Sequence, residues 1–272
     1  MADPIILFEN FFEKAGATFT ATNEAAGFPK ENALDWRVGT PYRWKSSGVG
    51  DPVFLHVDLG VGNDLEADCF GYAGHNFTPA LGNCAPEIEY SDNDAAWTPA
   101  LDTVTPPADI HARMHIISGS PGAHRYWRAT LEQPADDLQV GIFVIGRRLD
   151  LPGAMLDLDP YGEEAKTEWT HSEGGEPLGA NYRWLMKRFT LNYSDGDAPG
   201  RDAFFAPASG IGWDADFLPH SRSNPFLFSW NLDVDAALTY LCRVRKGVRM
   251  PFRSTTQHRN LRLDLESFAG QR

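Results

Sequence analysis

Two short stretches decide the fold: Val53-Phe54-Leu55-His56-Val57-Asp58-Leu59-Gly60 and Phe70-Gly71-Tyr72-Ala73-Gly74-His75-Asn76-Phe77. Apolar residues alternate through the first stretch and an Asp-Leu-Gly turn closes it, which predicts a half-buried β-strand. The second stretch predicts a shorter apolar strand that ends at Gly-His-Asn. Two more strands are predicted at Arg125–Leu131 and Val140–Gly146. The chain is therefore predicted to be all-β.

The composition indicates a folded protein with an acidic surface. The 272 residues are 42% hydrophobic and 12% aromatic, and the net charge is −13 at pH 7. Nucleic acid is not an expected partner, because phosphate binding needs clustered Lys and Arg. Membrane insertion is not expected either, since no apolar run reaches the roughly 20 residues that span a bilayer. The N-terminus does not resemble a signal peptide, so we expect folding in the cytoplasm.

Two domains are predicted, residues 1–150 and 151–272, with the boundary at Asp150-Leu151-Pro152-Gly153. The first has 10 Lys and Arg against 21 Asp and Glu, a net charge of −11, and the second has 14 against 16, a net charge of −2. This asymmetry favours head-to-tail or ring contacts between copies, although a solubilising surface explains it equally well. The strands predicted in the second domain are Lys166–His171, Arg183–Tyr193, Asn224–Trp230, Tyr240–Val248 and Leu261–Phe268, with a short helix within Asp202–Leu218.

The first domain resembles a known recognition fold. The element Trp44-Lys45-Ser46-Ser47 precedes the strand Val53–Asp58, and Tyr126-Trp127-Arg128 begins a late strand. This order of strands resembles the discoidin-like (galactose-binding-like) jelly roll over roughly the first 150 residues. The resemblance implies a β-sandwich whose ligand site lies in loops at one end, among them Gly39–Trp44, His75–Ala80 and Ser118–His124.

The second domain carries a different resemblance. The segments Asn224–Asn231 ("NPFLFSWN") and Asn260–Ser267 ("NLRLDLES") resemble the small β-barrel or sandwich segments of bacteriophage tail-tip and baseplate proteins. The whole chain is thus similar to a distal tail protein of long-tailed phages. This resemblance implies a structural virion protein, assembled in the host cytoplasm, that forms a homo-oligomeric ring with neighbouring tail proteins and has host surface glycans as potential ligands. The alternative is a bacterial carbohydrate-binding module protein with an accessory β-domain.

Five residues are predicted as ligand contacts. Two aromatic rings and the N–H donors of a guanidinium lie side by side in the segment Tyr42, Arg43 and Trp44. Such groups suit a sugar, whose CH faces stack on aromatic rings. Packing of Trp44 in the core and an ion pair for Arg43 are the alternatives. His75 and Asn76 follow a glycine at a strand end and can project into the same loops. Asn76 is equally a natural turn residue.

Other conspicuous residues are interpreted as structural. Alternation along their strand points one of Trp127 and Arg128 inward, so packing is predicted for this pair. Cys69 is predicted to be a small core residue. A Cys69–Cys84 disulfide stays open, although three cysteines do not form a secreted disulfide framework.

No metal, cofactor or catalytic residue is predicted. His56 and Asp58 share a strand face, as do His111 and His115, but the sequence places no third or fourth ligand beside them. The turn Asp92-Asn93-Asp94 does not match an EF-hand loop. The GxSxG, HExxH, Walker and GxGxxG motifs are missing. A glycosidase carboxylate pair stays open, since its spacing is recognised only in three dimensions.

Overall fold

The computed structural model describes residues 4–47, 52–77, 86–101, 104, 109–131, 137–151, 155–157, 163–174, 176–194, 211–232, 236–245 and 260–268. Strands account for most of the regular structure in these residues, which confirms the all-β prediction. Among the described residues, the longest helical stretch is the π-helical turn Trp213–Phe217 followed by the α-helical turn Leu218–Ser221. Within the described residues, no helix is long and apolar enough to cross a membrane.

The strands, in chain order, are β1 (Ile5–Leu7), β2 (Thr18–Ala21), β3 (Trp44–Lys45), β4 (Val53–Asp58), β5 (Cys69–Ala73), β6 (Pro86–Ser91), β7 (Thr98–Leu101), β8 (Arg113–Ile116), β9 (Tyr126–Leu131), β10 (Gln139–Val140), β11 (Ile142–Gly146), β12 (Arg148–Asp150), β13 (Met155–Asp157), β14 (Glu163–His171), β15 (Pro177–Ser194), β16 (Phe226–Ser229), β17 (Thr239–Val244) and β18 (Asn260–Ser267). Short 3-10 turns lie at Phe11–Glu13, Lys30–Ala33, Thr40–Tyr42 and Ala236–Leu238.

Two antiparallel sheets form a β-sandwich in the N-terminal half. One sheet has the order β2-β4-β9-β6-β7 and the other has the order β11-β5-β8. In β4, Val53, Leu55 and Val57 are fully buried whereas Phe54 and His56 are only half-buried on the opposite face. This is the alternation that the sequence predicted, and it arises because successive side chains of a strand point to opposite faces.

A third sheet covers the outside of the three-stranded sheet. Its order is β12-β1-β16-β17-β18-β15-β13, and β14 extends it as a hairpin with β15. Leu7 and Leu227 of this sheet pack against Cys69 and Val144 in one buried cluster. The strands β5 and β11 are therefore buried on both faces, which explains their unbroken burial. The five-stranded sheet keeps a partly exposed outer face.

The N-terminal strand belongs to this third sheet. Ile5–Leu7 pairs antiparallel with β12 on one side and with β16 on the other. Two hydrogen bonds of 2.7 Å join the buried Glu9 carboxylate to Arg147, beside this pairing. A three-residue strand is too short for its periodicity to reveal a partner more than 200 positions away. The division at residue 150 stays a prediction.

The cysteine predictions are resolved in part. Cys69 is fully buried and free, which confirms it as a core residue, and Cys242 is also buried and free. Cys84 lies outside the described residues, so a bond from it is not described. Burial raises the pKa of both described thiols well above the usual value.

Candidate functional site

Two of the five predicted ligand residues lie in the core. Trp44 has no exposed surface and pairs with Val140 between β3 and β10. His75 is also fully buried; its Nδ1 accepts from the Phe77 amide at 3.1 Å, so its Nε2 carries the proton and donates to the His111 carbonyl at 2.7 Å. Burial lowers the pKa of His75 to about 4, so the ring is neutral near pH 7. Both side chains hold the fold in this structure.

The other three residues lie closer to solvent. The Asn76 amide donates to the Asp137 carbonyl at 2.9 Å and its side-chain oxygen accepts from the Gln139 amide at 2.8 Å, so it ties two loops together. Arg43 Nε donates to the Val38 carbonyl at 3.0 Å, and burial lowers the pKa of this guanidinium. Tyr42 is 44% exposed. Ligand contact at these positions stays a prediction, and Tyr42 has the most accessible ring.

The prediction that three loops share one end of the sandwich is wrong. Asp58 at the end of β4 pairs with Tyr126 at the start of β9, so Ser118–His124 lies at that end. The described part of His75–Ala80 follows β5 at the opposite end, where the backbone N–H of Asn76 donates to the Gln139 carbonyl at 3.2 Å. Gly39–Trp44 leads into β3 at that same end, because Lys45 of β3 pairs with Gln139. A chain pattern shows where strands end but not which ends coincide, since that depends on strand direction and pairing.

A row of polar side chains crosses the outer face of the five-stranded sheet. The register aligns Thr20 with His56, His56 with Arg128, and Arg128 with Glu89 on four neighbouring strands. Side chains directly opposite each other on one sheet face lie close enough to interact. The row is therefore a product of strand pairing between residues that are far apart in the sequence.

A tight turn places an aromatic ring over this row. The Asn93 side-chain oxygen accepts from the amides of Ala95 and Ala96, both at 3.0 Å, and Asp94 adopts a positive φ of 58°. Asn and Asp stabilise such turns because their short side chains bond to nearby backbone amides. The turn brings Trp97, which is half-buried, above Arg128 with 4.0 Å between the guanidinium carbon and the ring centroid.

Two rings and a carboxylate contact Arg128. Besides Trp97, the Phe54 ring lies next to the guanidinium, with 4.7 Å from the guanidinium carbon to the ring centroid. Its Nε and Nη2 donate to Glu89 at 2.7 and 3.2 Å, which leaves three of the five guanidinium N–H groups for other acceptors. Although burial raises the pKa of Glu89, the bonds from Arg128 and Thr130 outweigh it and hold the pKa below the usual value. Glu89 is thus a fixed anion that orients Arg128.

His56 forms the floor beside Trp97. Its Nδ1 lies 3.1 Å from the Thr20 hydroxyl and its Nε2 lies 3.3 Å from Asp94 Oδ1. Burial lowers the pKa of His56 and the Arg128 charge lowers it further, against the opposing effect of Asp94 and Asp58. The imidazole is therefore neutral near pH 7. Within the described residues, no three His, Cys, Asp or Glu side chains converge on a metal position.

These side chains enclose a cleft of about 210 Å³, which we call the outer-face cleft. Its walls combine an indole, a phenyl ring, threonine hydroxyls, one exposed carboxylate and the free N–H groups of a guanidinium. Such a set can stack on an apolar ring face and hydrogen-bond to hydroxyls at its edge. The lining residues are Thr20, Ala21, Thr22, Phe54, His56, Asp94, Trp97 and Arg128.

The sequence interpretation missed this cleft. Trp127 is fully buried and Arg128 points outward, so the predicted alternation is confirmed, whereas the sequence predicts a packing role for Arg128 and not a place in a cleft. The sequence suggests His56 only as a metal ligand, and it carries no functional signal for Thr20 or Trp97. The sequence carries one signal for this cleft. The alternation in Val53–Asp58 and Tyr126–Leu131 shows which side chains of each strand point away from the core. Strand pairing was needed to bring those outward residues together.

Comparisons with known proteins give only distant similarities. No family model matches the sequence, and no curated protein matches it. Among solved structures, the chain is similar to the module CpGH89CBM32-6 produced by Clostridium perfringens, with 17% identity, a TM-score of 0.38, and coverage of 50% of this chain and 98% of the module. It is also similar to chitosan-binding module 1 of a Paenibacillus sp. IK-5 chitosanase/glucanase, with 19% identity, a TM-score of 0.39, and coverage of 51% and 98%.

A third similar structure is the family 32 carbohydrate-binding module of Clostridium perfringens NanJ in complex with galactose. It shares 18% identity and a TM-score of 0.39, over 52% of this chain and 98% of the module. At TM-scores this low, the likeness assigns no ligand to this chain. The geometry of the outer-face cleft is therefore the stronger indication of function.

Proposed function

We propose that this chain is a carbohydrate-binding protein and that the outer-face cleft binds one neutral pyranose ring. The observation that carries the proposal is the position of Trp97. Its ring forms one wall of a 210 Å³ cleft whose other groups are hydroxyls, a carboxylate and the guanidinium of Arg128. A sugar needs this combination, because its CH faces stack on aromatic rings while its hydroxyls both donate and accept hydrogen bonds.

The charges of the cleft favour a neutral sugar over an acidic one. The positive charge of Arg128 is already paired with Glu89, and His56 is neutral near pH 7. Asp94, with a side chain that is 50% exposed, adds a negative charge at the rim. A uronate or sialate carboxylate would meet no unpaired positive charge in this lining, whereas hydroxyls would find donors and acceptors.

The carboxylates of the cleft favour binding over hydrolysis. A glycosidase of the common type places two carboxyl groups on either side of the scissile bond, one of them with a raised pKa. Among the described residues of the lining, Asp94 is the one carboxylate, and Glu89, opposite Arg128 on the next strand, is bonded to Arg128 with a lowered pKa. We therefore propose recognition without bond chemistry, as in a carbohydrate-binding module with an accessory β-domain. A ring-forming role in a phage tail tip and a place in the virion stay predictions.

The test is a screen of neutral and acidic monosaccharides and short glycans by isothermal titration calorimetry, with wild-type protein and two single variants. Trp97→Ala should weaken binding at least tenfold, because it removes the stacking surface. Tyr42→Ala should leave binding unchanged. Loss of binding in Tyr42→Ala with normal binding in Trp97→Ala would refute the outer-face cleft and favour the predicted loop site.

A matched arginine pair sharpens this test. Arg125 directly precedes β9, donates to Asp58 at 2.6 and 2.7 Å, and stacks on Tyr126 with 4.7 Å to the ring centroid, but it lies outside the lining of the cleft. Arg128→Lys and Arg125→Lys therefore make the same chemical change in similar surroundings. Only Arg128→Lys should lower the affinity for the sugar; equal effects of the two variants would contradict a specific role for Arg128.

A further inference from the structure

A second cleft, of about 510 Å³, lies at the end of the third sheet, away from the outer-face cleft. The segment after the α-helical turn, residues 222–225, forms one wall, and the ends of β17 and β18 form the other. We call it the arginine cleft; its charged and aromatic lining residues are Arg222, Arg243, Arg245, Glu266 and Phe268.

One carboxylate in this cleft faces several guanidinium groups. The Glu266 side chain is 10% exposed, and its Oε1 accepts from Arg243 Nε at 2.7 Å. Its Oε2 lies 3.9 Å from Arg245 Nε, a distance too long for a strong hydrogen bond. Arg243 and Glu266 thus form a direct ion pair, whereas Arg245 interacts only weakly with Glu266.

Arg222 adds a third positive charge. It is exposed on the opposite wall and makes no ion pair with any described residue. Three arginines against one glutamate leave an excess of two positive charges in the lining, on a chain whose net charge is −13. Ser223 and Asn224 add further hydrogen-bonding groups beside them. Guanidinium groups that line one cleft suit carboxylate or phosphate oxygens, which accept two parallel N–H bonds from one guanidinium.

We propose that the arginine cleft is an anion-binding site that takes a carboxylate or phosphate group through Arg222 and Arg245. Arg243 acts as a positioning residue, because its bond to Glu266 fixes that carboxylate and keeps it from forming a hydrogen bond with Arg245. The anion has two sources with the same chemistry. One is a free anionic ligand, and the other is the acidic surface of a second copy, since residues 1–150 carry a net charge of −11. The site is independent of the proposed sugar site.

Two measurements separate these sources. The first is calorimetric titration with inorganic phosphate and with citrate at low ionic strength. The second is sedimentation velocity over a concentration series at about 20 and 300 mM NaCl, because contacts between exposed charges weaken as the Debye length shortens. Each uses wild-type protein, Arg222→Gln, Arg245→Gln and the control Arg262→Gln. Arg262 lies on β18 with a 61% exposed side chain, outside the cleft.

The expected result is a loss of about tenfold in anion affinity for Arg222→Gln and Arg245→Gln, with no loss for Arg262→Gln. If the source is a second copy, the same two variants abolish a self-association that 300 mM NaCl also weakens. Circular dichroism confirms that each variant is folded. Three results would overturn the proposal: neither anion binding nor salt-sensitive association in the wild type, equal behaviour of the cleft variants and the wild type, or an equal loss in Arg262→Gln.

Discussion

Gly71 provides the sharpest test of the three-layer packing. A Cβ atom at this position would lie 2.5 Å from Leu227 Cδ1, 3.0 Å from the Arg113 carbonyl oxygen and 3.3 Å from Leu7 Cδ2. Carbon atoms pack at about 3.5–4.0 Å, so Leu227 would have to retreat by about 1 Å or the third sheet would have to move outward. We expect Gly71→Ala to lower the free energy of unfolding by about 1–3 kcal/mol, the usual cost of overpacking a dense core.

Urea unfolding followed by tryptophan fluorescence measures this effect as a lower midpoint concentration at constant slope. A double-mutant cycle with Leu227→Ala identifies the cause. Leu227→Ala alone should cost about 2–5 kcal/mol, and it also makes room for the added methyl group. The double variant should therefore lose at least about 1 kcal/mol less than the sum of the two single losses.

Gly39→Ala is the matched control. The φ angle of Gly39 is −64°, and a Cβ there would lie 3.4 Å from Tyr42 Cδ2, so it fits without a clash. Its stability should stay within about 0.5 kcal/mol of the wild type. An unchanged midpoint for Gly71→Ala, or strict additivity with Leu227→Ala, would show that the third sheet does not rest on β5 as described.

Three further predictions concern buried groups. Glu9→Gln should cost about 3 kcal/mol in urea unfolding, because it removes the charge of a nearly buried carboxylate that pairs with both Arg147 and Lys14; a loss below about 1 kcal/mol would contradict this. Burial lowers the pKa of His115 to about 4, below the value of about 6.5 in the unfolded chain. Between these two pH values the unfolded chain binds a proton that the folded chain does not, so the stability falls as the pH drops from about 6.5 to about 4. His115→Phe should therefore remove about 2 kcal/mol of the stability lost between pH 7 and 5, and parallel pH profiles would refute this. Cys69 and Cys242 have no exposed surface, so a thiol reagent should label both only after unfolding, which peptide mapping of the labelled protein checks.

Part of the fold could be read from local patterns. The strands at Val53–Asp58, Cys69–Ala73, Tyr126–Leu131 and Ile142–Gly146 lie where alternation and turn signals predicted them. These signals work because the two-residue period of a strand is a local property that each segment carries alone. The short strand Ile5–Leu7 was not predicted, because three consecutive apolar residues show no periodicity.

Local sequence patterns of this kind do not predict the candidate site. Thr20, His56 and Arg128 come from three strands, and Trp97 comes from a turn. Each was visible in the sequence, but none had a local signal that it would meet the others. Trp44 and His75 show the converse, because their residue types suggested a ligand site and packing placed both in the core.

The sequence alone determined the all-β class, the position of the main strands and the acidic surface, because these depend on residue type and short-range period. The tertiary structure decided which strands pair, which loops share an end and that the first strand joins the sheet formed mainly by the C-terminal half. It also decided that Trp97 and Arg128 form one wall of a cleft. Register and layer order arise from contacts between residues far apart in the chain, and a single sequence read segment by segment does not contain those contacts.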